Sequence, residues 1–343
     1  MNDTNELDRE LVDIFRLFFD EQPVSFDIID TGRSETDFRN AVIVSTAEGN
    51  RYVLKLSDND FTFPEKIAMW KRTAEEYRRL GYYCPAIITD KHGLFPTVGF
   101  KGHNCVVYAE EFAPYTPAED RALENSEESM ADPETYRKAV WEMTAKVAGQ
   151  HFDYTDFPSG YCLFERFCPS DKTDEVLEVA LSWKEKADRL PGEFREQTER
   201  IWRLWTDNRA ELEKVYHELP TSVFKADLNT TNILLDGDGN FVGVYDFNLC
   251  GKDVFINYLF RERCNEDFDK EIEAIRETLA VASRYYHFSQ TEKDSALMLY
   301  RCLKPLWYKG DIDDKADSDT IKSCLDGIEH YLTTDIDFVS CMG

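Results

Sequence analysis

The segment that decides the fold is FKADLNTTNILL at residues 224–235, followed after a turn by VYDF at residues 244–247. Asp227 and Asn232 lie five positions apart in a loop, and Asp246 ends the second of two short apolar strands. Phosphoryl transfer needs a carboxylate that accepts a hydroxyl proton, together with oxygen ligands that hold Mg2+ against the phosphates. The order Asp, Asn, strand, turn, strand, Asp therefore predicts phosphoryl-transfer chemistry in this segment.

The chain before this segment changes its pattern at about position 112. Up to there it consists of short β-branched or aromatic runs separated by turns, and residues 48–50 are typical of a hairpin turn. One helix is predicted over 64–80, where Pro64 suits the first turn and Gly81 the C-terminal cap. The pattern indicates an antiparallel sheet of five strands, at about 26–30, 40–46, 51–57, 94–100 and 104–110.

From residue 113 onward, helical periodicity dominates. Helices are predicted from about 133, and over 174–190, 192–219, 269–287, 290–306 and 318–332. Only residues 222–246 interrupt this pattern, with three short strands around two loops. The sequence therefore predicts an α+β protein in two domains, a β-rich one over 1–112 and a helical one over 113–343.

Asp227-x4-Asn232, with Asp246 fourteen residues further on, resembles the catalytic and metal-binding segment of the aminoglycoside phosphotransferase and choline kinase group, which shares the protein-kinase fold. The resemblance implies a bilobal fold. A small antiparallel β lobe with one main helix would bind the nucleotide, and a larger, mostly helical lobe would carry the catalytic loop and the acceptor site. It also implies ATP as phosphoryl donor, with GTP as the alternative, Mg2+ as the metal, and a small-molecule hydroxyl as acceptor.

The same resemblance assigns roles to four residues. Asp227 corresponds to the catalytic base, and Asn232 and Asp246 correspond to the Mg2+ ligands. The strand YVLKL at 52–56 supplies Lys55, at the position where kinases carry the lysine that holds the α- and β-phosphates. A single lysine on a strand is weak evidence for a kinase. Together with Asp227, Asn232 and Asp246 in the order that kinases have, it makes coincidence a poor explanation.

The resemblance also implies a helix glutamate that orients Lys55. Glu75 and Glu76 flank the apolar stripe of the predicted helix 64–80 on opposite sides. Glu76 is the preferred candidate, because Leu80 follows one turn later on the same face.

Two further segments are expected to contact the nucleotide. The stretch VVYAEEFA at 106–113 resembles the strand and hinge whose backbone meets adenine, which assigns Glu111 and Ala113 to the nucleotide site. The loop TGRSET at 31–36 is expected to cover the phosphates through Gly32, although it does not have the GxGxxG pattern.

The catalytic loop departs from the family pattern at three positions. Lys225 replaces the usual histidine, Ala226 the usual glycine, and Asn229 the cation often found two residues after the base. A lysine at 225 is expected to turn outward or to pair with a carboxylate or a phosphate. These departures leave a degenerate nucleotide-binding protein of the same fold as an alternative to an active kinase.

The charge of the chain limits its partners. Forty Lys and Arg against sixty-seven Asp and Glu give a formal net charge of −27, which argues against binding to nucleic acid or to an anionic membrane. It favours a cationic acceptor such as an aminoglycoside or amino alcohol, while a neutral sugar, nucleoside or amino-acid hydroxyl is the alternative. Candidates for the pocket of such an acceptor, with solvated surface loops as the equal alternative for each, are Glu266, Asp267, Asp269, Asp311, Asp313, Asp314, Asp317 and Asp319.

Other motifs exclude competing classes. The nine cysteines contain no CxxC pair, and no uncharged apolar run approaches the ~18 residues of a membrane span, so a cytoplasmic protein with reduced thiols is expected. No GxxxxGK[ST] motif is present, which excludes a Walker-type nucleotide site. An Ala-Pro-Glu-like activation segment is also missing after Asp246, which argues against a protein kinase. The sequence does not distinguish a monomer from a homodimer.

Overall fold

A computed structural model describes residues 2–33, 36–120, 133–263, 267–307, 310, 312–313 and 315–343. These residues form two compact units. The first comprises Met1–Tyr136, Cys168–Ser170 and Leu228–Cys250, and the second comprises Arg137–Phe167, Asp171–Asp227 and Gly251–Gly343. Of the acidic residues expected near the acceptor, Glu266, Asp311 and Asp314 lie outside the described residues.

The first unit is built on an antiparallel sheet. Its strands are β1 (Pro23–Asp30), β2 (Phe38–Thr46), β3 (Arg51–Asp58), β4 (Ile87–Ile88), β5 (Thr97–Phe100) and β6 (His103–Glu111). They follow the order β1-β2-β3-β6-β4, and β5 also pairs with β6. The sequence predicted five of these strands and missed β4, because two residues are too short to show a periodic pattern.

Helix α1 (Asn2–Phe18) packs against this sheet, although no element was predicted before residue 26. Leu11, Ile14, Phe15 and Phe18 recur at helical spacing and are buried. Their partners in the same apolar core are Val42, Val44, Leu54, Leu56, Phe100, Cys105, Val107 and Ala109. Burying one such side chain stabilises the folded state by about 1.5–3 kcal/mol, so α1 contributes substantially to the stability of this unit.

Helix α2 (Pro64–Arg79) confirms the helix predicted over 64–80. Pro64 lies in its first turn, and Gly81 follows the helix with a φ of 93°. Ile67, Trp70, Ala74 and Tyr77 form the buried face, as the apolar stripe indicated.

A second, small sheet contains the two strands that lie between Asn232 and Asp246. It has the order β10-β9-β7, with β7 at Thr116–Pro117, β9 at Ile233–Leu235 and β10 at Phe241–Val244. The Tyr83 N–H donates to the Val242 carbonyl at 2.8 Å, and the Val244 N–H donates to the Tyr83 carbonyl at 3.0 Å. A Cβ at Gly243 would lie 1.8 Å from the Tyr83 carbonyl oxygen, so only glycine permits this close approach.

The second unit is mostly helical. Its helices are α3 (Pro133–Ala148), most of which belongs to this unit, α4 (Glu175–Ala187), α5 (Arg195–Tyr216), α6 (Phe255–Arg261), α7 (Phe268–Ala282), α8 (Gln290–Trp307) and α9 (Ser318–Thr333). Strands β8 (Thr221–Phe224) and β11 (Gly251–Val254) pair antiparallel. All of these helices were predicted except α6. All seven residues of α6 are buried, Asn257 and Arg261 included, so it has no exposed face and lacks the pattern of a surface helix.

The core of the second unit joins α5 to α8. Ile201, Trp205 and Leu212 of α5 are buried. The indole N–H of Trp205 donates to the Cys302 carbonyl of α8 at 3.0 Å, which satisfies the one polar atom of that side chain.

The described residues also bear on the predictions about membrane spans and cysteines. No helix there combines the length and the apolar character that a membrane span requires. The eight described cysteines are all free thiols, and four of them, Cys84, Cys105, Cys250 and Cys302, are buried.

Candidate active site

The hairpin of β9 and β10 brings two of the predicted site residues to one end of the small sheet. Asn232 precedes β9 and Asp246 follows β10. Val244 pairs with Ile233, and the Tyr245 N–H donates to the Asn232 carbonyl at 3.2 Å. Asn232 is therefore held beside the residue that leads directly into Asp246, and both side chains end in the oxygen ligands that hard cations prefer.

Asp227 and Asp246 share an uncommon backbone conformation. Their φ angles are 67° and 62°, and only five non-glycine residues have positive φ in the described part of the chain. Aspartate adopts this left-handed region more readily than most residues, but sparsely populated conformations still cost on the order of 1–3 kcal/mol and cluster at functional sites. Asp227 belongs to the second unit and Asp246 to the first.

Lys55 lies in the middle of β3, on the face opposite the apolar core. Leu54 and Leu56 are fully buried in that core, so the alternation of a strand directs Lys55 to the other face. Its paired residues are Ala41 of β2 and Tyr108 of β6.

Two carboxylates control the charge of Lys55. Burial of the ammonium acts to lower its pKa, but Asp246 and Glu110 outweigh this effect, so the pKa of Lys55 lies above its ordinary value. Burial also raises the pKa of Glu110 to about 7, although Lys55 acts in the opposite direction. The site therefore holds a firmly charged lysine and a carboxyl group that titrates near neutral pH.

A small cavity lies beside Lys55 within the first unit. Its volume is about 50 Å3. About 10–15 Å3 of such volume is enough for one water molecule, so the cavity admits a small polar group. Its lining is formed by Thr31, Arg39, Asn40, Lys55, Ser57, Thr62, Trp70, Tyr108, Asp246 and Asn248.

In the second unit, a buried lysine supports the backbone of the predicted base. Lys225 is fully buried, and its Nζ donates a hydrogen bond to the Asp227 carbonyl. The Tyr258 hydroxyl donates to the Lys225 carbonyl at 2.8 Å, and its ring stacks on Phe224. Lys225 therefore turns inward, which excludes the outward one of the two predicted alternatives, and its charged donor holds the loop at Asp227.

This arrangement can be compared with known proteins. Residues 32–256 match the model of the phosphotransferase enzyme family, APH. The chain belongs to this family. A search of curated proteins finds no match.

Two solved structures are similar to this phosphotransferase along nearly its whole length. The microcompartment-associated aminopropanol kinase is 15% identical, with a TM-score of 0.55, over 94% of this chain and 95% of that one. Amicoumacin kinase hAmiN, in complex with AMP-PNP, Ca2+ and Ami, is 13% identical, with a TM-score of 0.55, over 97% of this chain and 96% of that one. These neighbours confirm the α+β protein-kinase-like fold, and the family match makes the chain a small-molecule kinase.

The phosphotransferase pairs its α2 glutamates with basic residues of the same helix. Glu76 Oε1 accepts a hydrogen bond from Arg79 Nη1 at 2.7 Å, and Glu75 forms an (i, i+4) ion pair one turn away. The carboxylates of Asp246 and Glu110 act on the charge of Lys55. The role assigned to Glu76 stays a prediction.

Gly32 lies at a position where a side chain has no room. A Cβ there would lie 2.6 Å from the Asp37 carbonyl oxygen. The Gly32 N–H donates to Asp30 Oδ1 at 3.0 Å, and the Thr31 N–H donates to the Arg39 carbonyl at 2.9 Å. The loop after β1 is therefore tight at Gly32, and the predicted contact with phosphates stays a prediction.

Glu111 and Ala113 lie at the end of β6. The Glu111 carboxylate accepts a hydrogen bond from the Ala86 N–H at 3.0 Å. Between them, the Phe112 ring carries the Arg51 guanidinium at 3.6 Å. These contacts anchor the segment predicted to act as a hinge, and its backbone contacts to adenine stay predictions.

Glu110 is the site residue that the sequence did not identify. Val53 pairs with Glu110 and Lys55 with Tyr108, so the side chains of all four residues emerge on one face. Alternation along β6 places Glu110 with Tyr108, which is a usable signal. The residue of β3 that lies beside Glu110 depends on how the two strands pair, and the sequence of β6 alone does not contain that pairing.

Two of the acidic residues expected near the acceptor are helix caps. Asp267 Oδ1 accepts from the Lys270 N–H at 3.0 Å at the start of α7, and Asp317 Oδ1 accepts from the Thr320 N–H at 2.9 Å at the start of α9. Capping of this kind accounts for an aspartate at each of these positions.

Proposed function

We propose that this chain transfers the γ-phosphoryl group of ATP to a hydroxyl of a small, amine-bearing acceptor such as an amino alcohol or an aminoglycoside. The observation that carries the proposal is the β9–β10 hairpin, which holds Asn232 beside the residue before Asp246. Asp246 in turn acts on the charge of Lys55. An amide, a carboxylate and a lysine are the groups with which kinases hold Mg2+ and phosphates.

Each residue has a role in this proposal. Lys55 binds the α- and β-phosphates, Asn232 and Asp246 hold Mg2+, and Asp227 accepts the hydroxyl proton of the acceptor. The described residues contain no cluster of three or more His, Cys, Asp or Glu side chains that could hold a metal. Magnesium keeps several waters and binds phosphate oxygens, so two protein ligands suit it. When bound, it neutralises charge on the phosphates.

The remaining nucleotide contacts come from the β-rich lobe, residues 1–112, and from the segment that follows it. Gly32 allows its loop to cover the phosphates, and the backbone of Glu111 and Ala113 meets the adenine. Residues 113–343 form the lobe that binds the acceptor. We place the protein in the cytoplasm, where its ATP would be available.

The choice of acceptor rests on two supports. The structural neighbours include an aminopropanol kinase, which is named for an amino alcohol. The formal charge of −27 attracts cations to the surface. An aminoglycoside acceptor would also make the protein a determinant of antibiotic resistance.

The test is a phosphotransfer assay with MgATP and a panel of acceptors. The panel contains amino alcohols, aminoglycosides, and neutral sugars and nucleosides, with product mass as the readout. A phosphorylated amine-bearing acceptor, absent with Asp227→Asn, is the expected result. Phosphorylation of neutral acceptors alone would contradict the amine preference, and MgATP binding without any product would favour a degenerate nucleotide-binding protein.

A further inference from the structure

A second cation faces the cavity beside Lys55. Arg39 lies on β2, two residues before Ala41, which pairs with Lys55, so strand alternation puts both cationic side chains on one face. The Arg39 side chain is only 13% exposed and lines the same cavity as Lys55. It lies close enough for its charge to act against that of Lys55.

The hydrogen bonds of Arg39 leave part of its guanidinium available. Its Nη2 donates to Asp37 Oδ2 at 2.8 Å. The Asp37 carboxylate is shared, because it also accepts from the Asn59 amide at 3.0 Å and from the Arg33 N–H at 3.3 Å. The Nε–H of Arg39 is buried and has no acceptor among the described residues. A buried donor without an acceptor is destabilising, more so when it is charged.

Two cations at one small cavity favour an anionic ligand. Lys55 and Arg39 face the cavity with a single lining carboxylate, that of Asp246. Like charges in a partly buried site repel each other, and an anion between them removes this repulsion. The planar fork of a guanidinium matches the oxygens of a phosphate, which one arginine can bind through two parallel hydrogen bonds.

We propose that Arg39 is a second phosphate-binding residue, which contacts the polyphosphate of the nucleotide together with Lys55. The inference rests on the proposed function and adds to it a residue outside the family motif. The loop 31–36 has a single glycine and therefore few of the glycine backbone donors that usually cradle phosphates. Asp37 follows this loop directly, and Arg39 comes two residues later. Arg39 therefore supplies charged donors close to the loop.

The experiment measures binding by calorimetry of adenosine, AMP, ADP and ATP, with Mg2+, to the wild type and to Arg39→Gln. Loss of a hydrogen bond to a charged group weakens binding by about tenfold to a hundredfold. We expect this loss for ATP, a smaller one for AMP, and adenosine affinity within about twofold of wild type, since adenosine lacks phosphates. Arg16→Gln is the matched control, because Arg16 is an exposed arginine of α1 with a side chain 59% exposed.

The outcomes separate the inference from the proposed function. Failure of the wild type to bind MgATP overturns the proposed function. Binding of ATP by the wild type and equally by Arg39→Gln overturns only the role of Arg39. An equal loss for all four ligands, reproduced by Asp37→Asn, means that Arg39 only supports the loop and also overturns the inference. If Arg39→Gln does not fold, Arg39→Lys replaces it: reduced ATP affinity with unchanged adenosine affinity supports the role, and unchanged affinity for both contradicts it.

Discussion

Glu110 of β6 lies on the same face of the sheet as Lys55 of β3, and each changes the pKa of the other. Backbone pairing fixes this relationship, since both residues belong to the interior of adjacent strands. The helix glutamate predicted to orient the lysine, Glu76, forms an ion pair with Arg79, and its role toward Lys55 stays a prediction. The charge of Lys55 is therefore maintained by Asp246 of the hairpin and, from within the sheet, by Glu110.

The titration of Glu110 should appear in the stability of the protein. Its pKa is raised from 4.5 to about 7 in the folded state, so the folded state binds this proton more tightly than the unfolded chain. The resulting stabilisation is fully present below about pH 4.5 and is lost as the pH rises through about 7. Glu110→Gln should reduce this decline in the free energy of unfolding, measured by urea titration at several pH values. Glu48→Gln, at an exposed turn, is the control, and an unchanged decline in Glu110→Gln would contradict the assignment.

Asp227→Asn tests the catalytic base. The variant keeps the size and most hydrogen-bonding atoms of the side chain but cannot accept the hydroxyl proton. We expect turnover to fall by about a hundredfold to ten-thousandfold. The MgATP affinity, measured by calorimetry, should stay within about twofold of wild type, because the Asp227 side chain contacts the acceptor hydroxyl in this proposal and not the nucleotide. A comparable loss of both would mean that Asp227 binds the nucleotide.

Asp246→Ala tests the metal site. Removal of a carboxylate ligand should weaken nucleotide binding in the presence of Mg2+ and leave binding in EDTA nearly unchanged. The matched control is Asp238→Ala, because Asp238 lies exposed in the turn of the same hairpin. An unchanged dependence on Mg2+ concentration in Asp246→Ala would remove this residue from the metal site.

Lys225 should act on the rate through the position of Asp227. Lys225→Met leaves the Asp227 carbonyl without this charged donor, and loss of such a bond costs about 1–3 kcal/mol. We expect a lower melting temperature and a lower kcat, with little change in MgATP affinity. Lys225→His, which restores the usual residue of the family loop, should retain more activity than Lys225→Met. Equal kcat values for wild type and Lys225→Met would show that the loop does not need this donor.

The sequence was most informative where a pattern is local. Helix α2 and the hairpin strands β9 and β10 follow from short-range periodicity and turn residues. The structure has α2 close to its predicted bounds and both strands within the predicted segment 222–246. The proximity of Asn232 to the residue before Asp246 follows from that hairpin alone.

The sequence was least informative where position depends on distant residues. Glu110 became recognisable only from the register of β6 against β3, and the inward turn of Lys225 depends on burial in the second unit. Strand β11 has the sequence GKDV, which lacks a β-branched run, and it exists because it pairs with β8. In each case the position depends on long-range packing, which a local sequence pattern does not encode.

Helix α1 has a consequence for how the chain is made. It leaves the ribosome before the sheet, yet its apolar stripe is covered by strands that extend to residue 111. At a synthesis rate of about 5–20 residues per second, Leu11, Phe15 and their neighbours face water for roughly 5–20 s before their partners emerge. During that interval the stripe is a natural target for a ribosome-bound chaperone, and the nascent chain is at its most prone to aggregation.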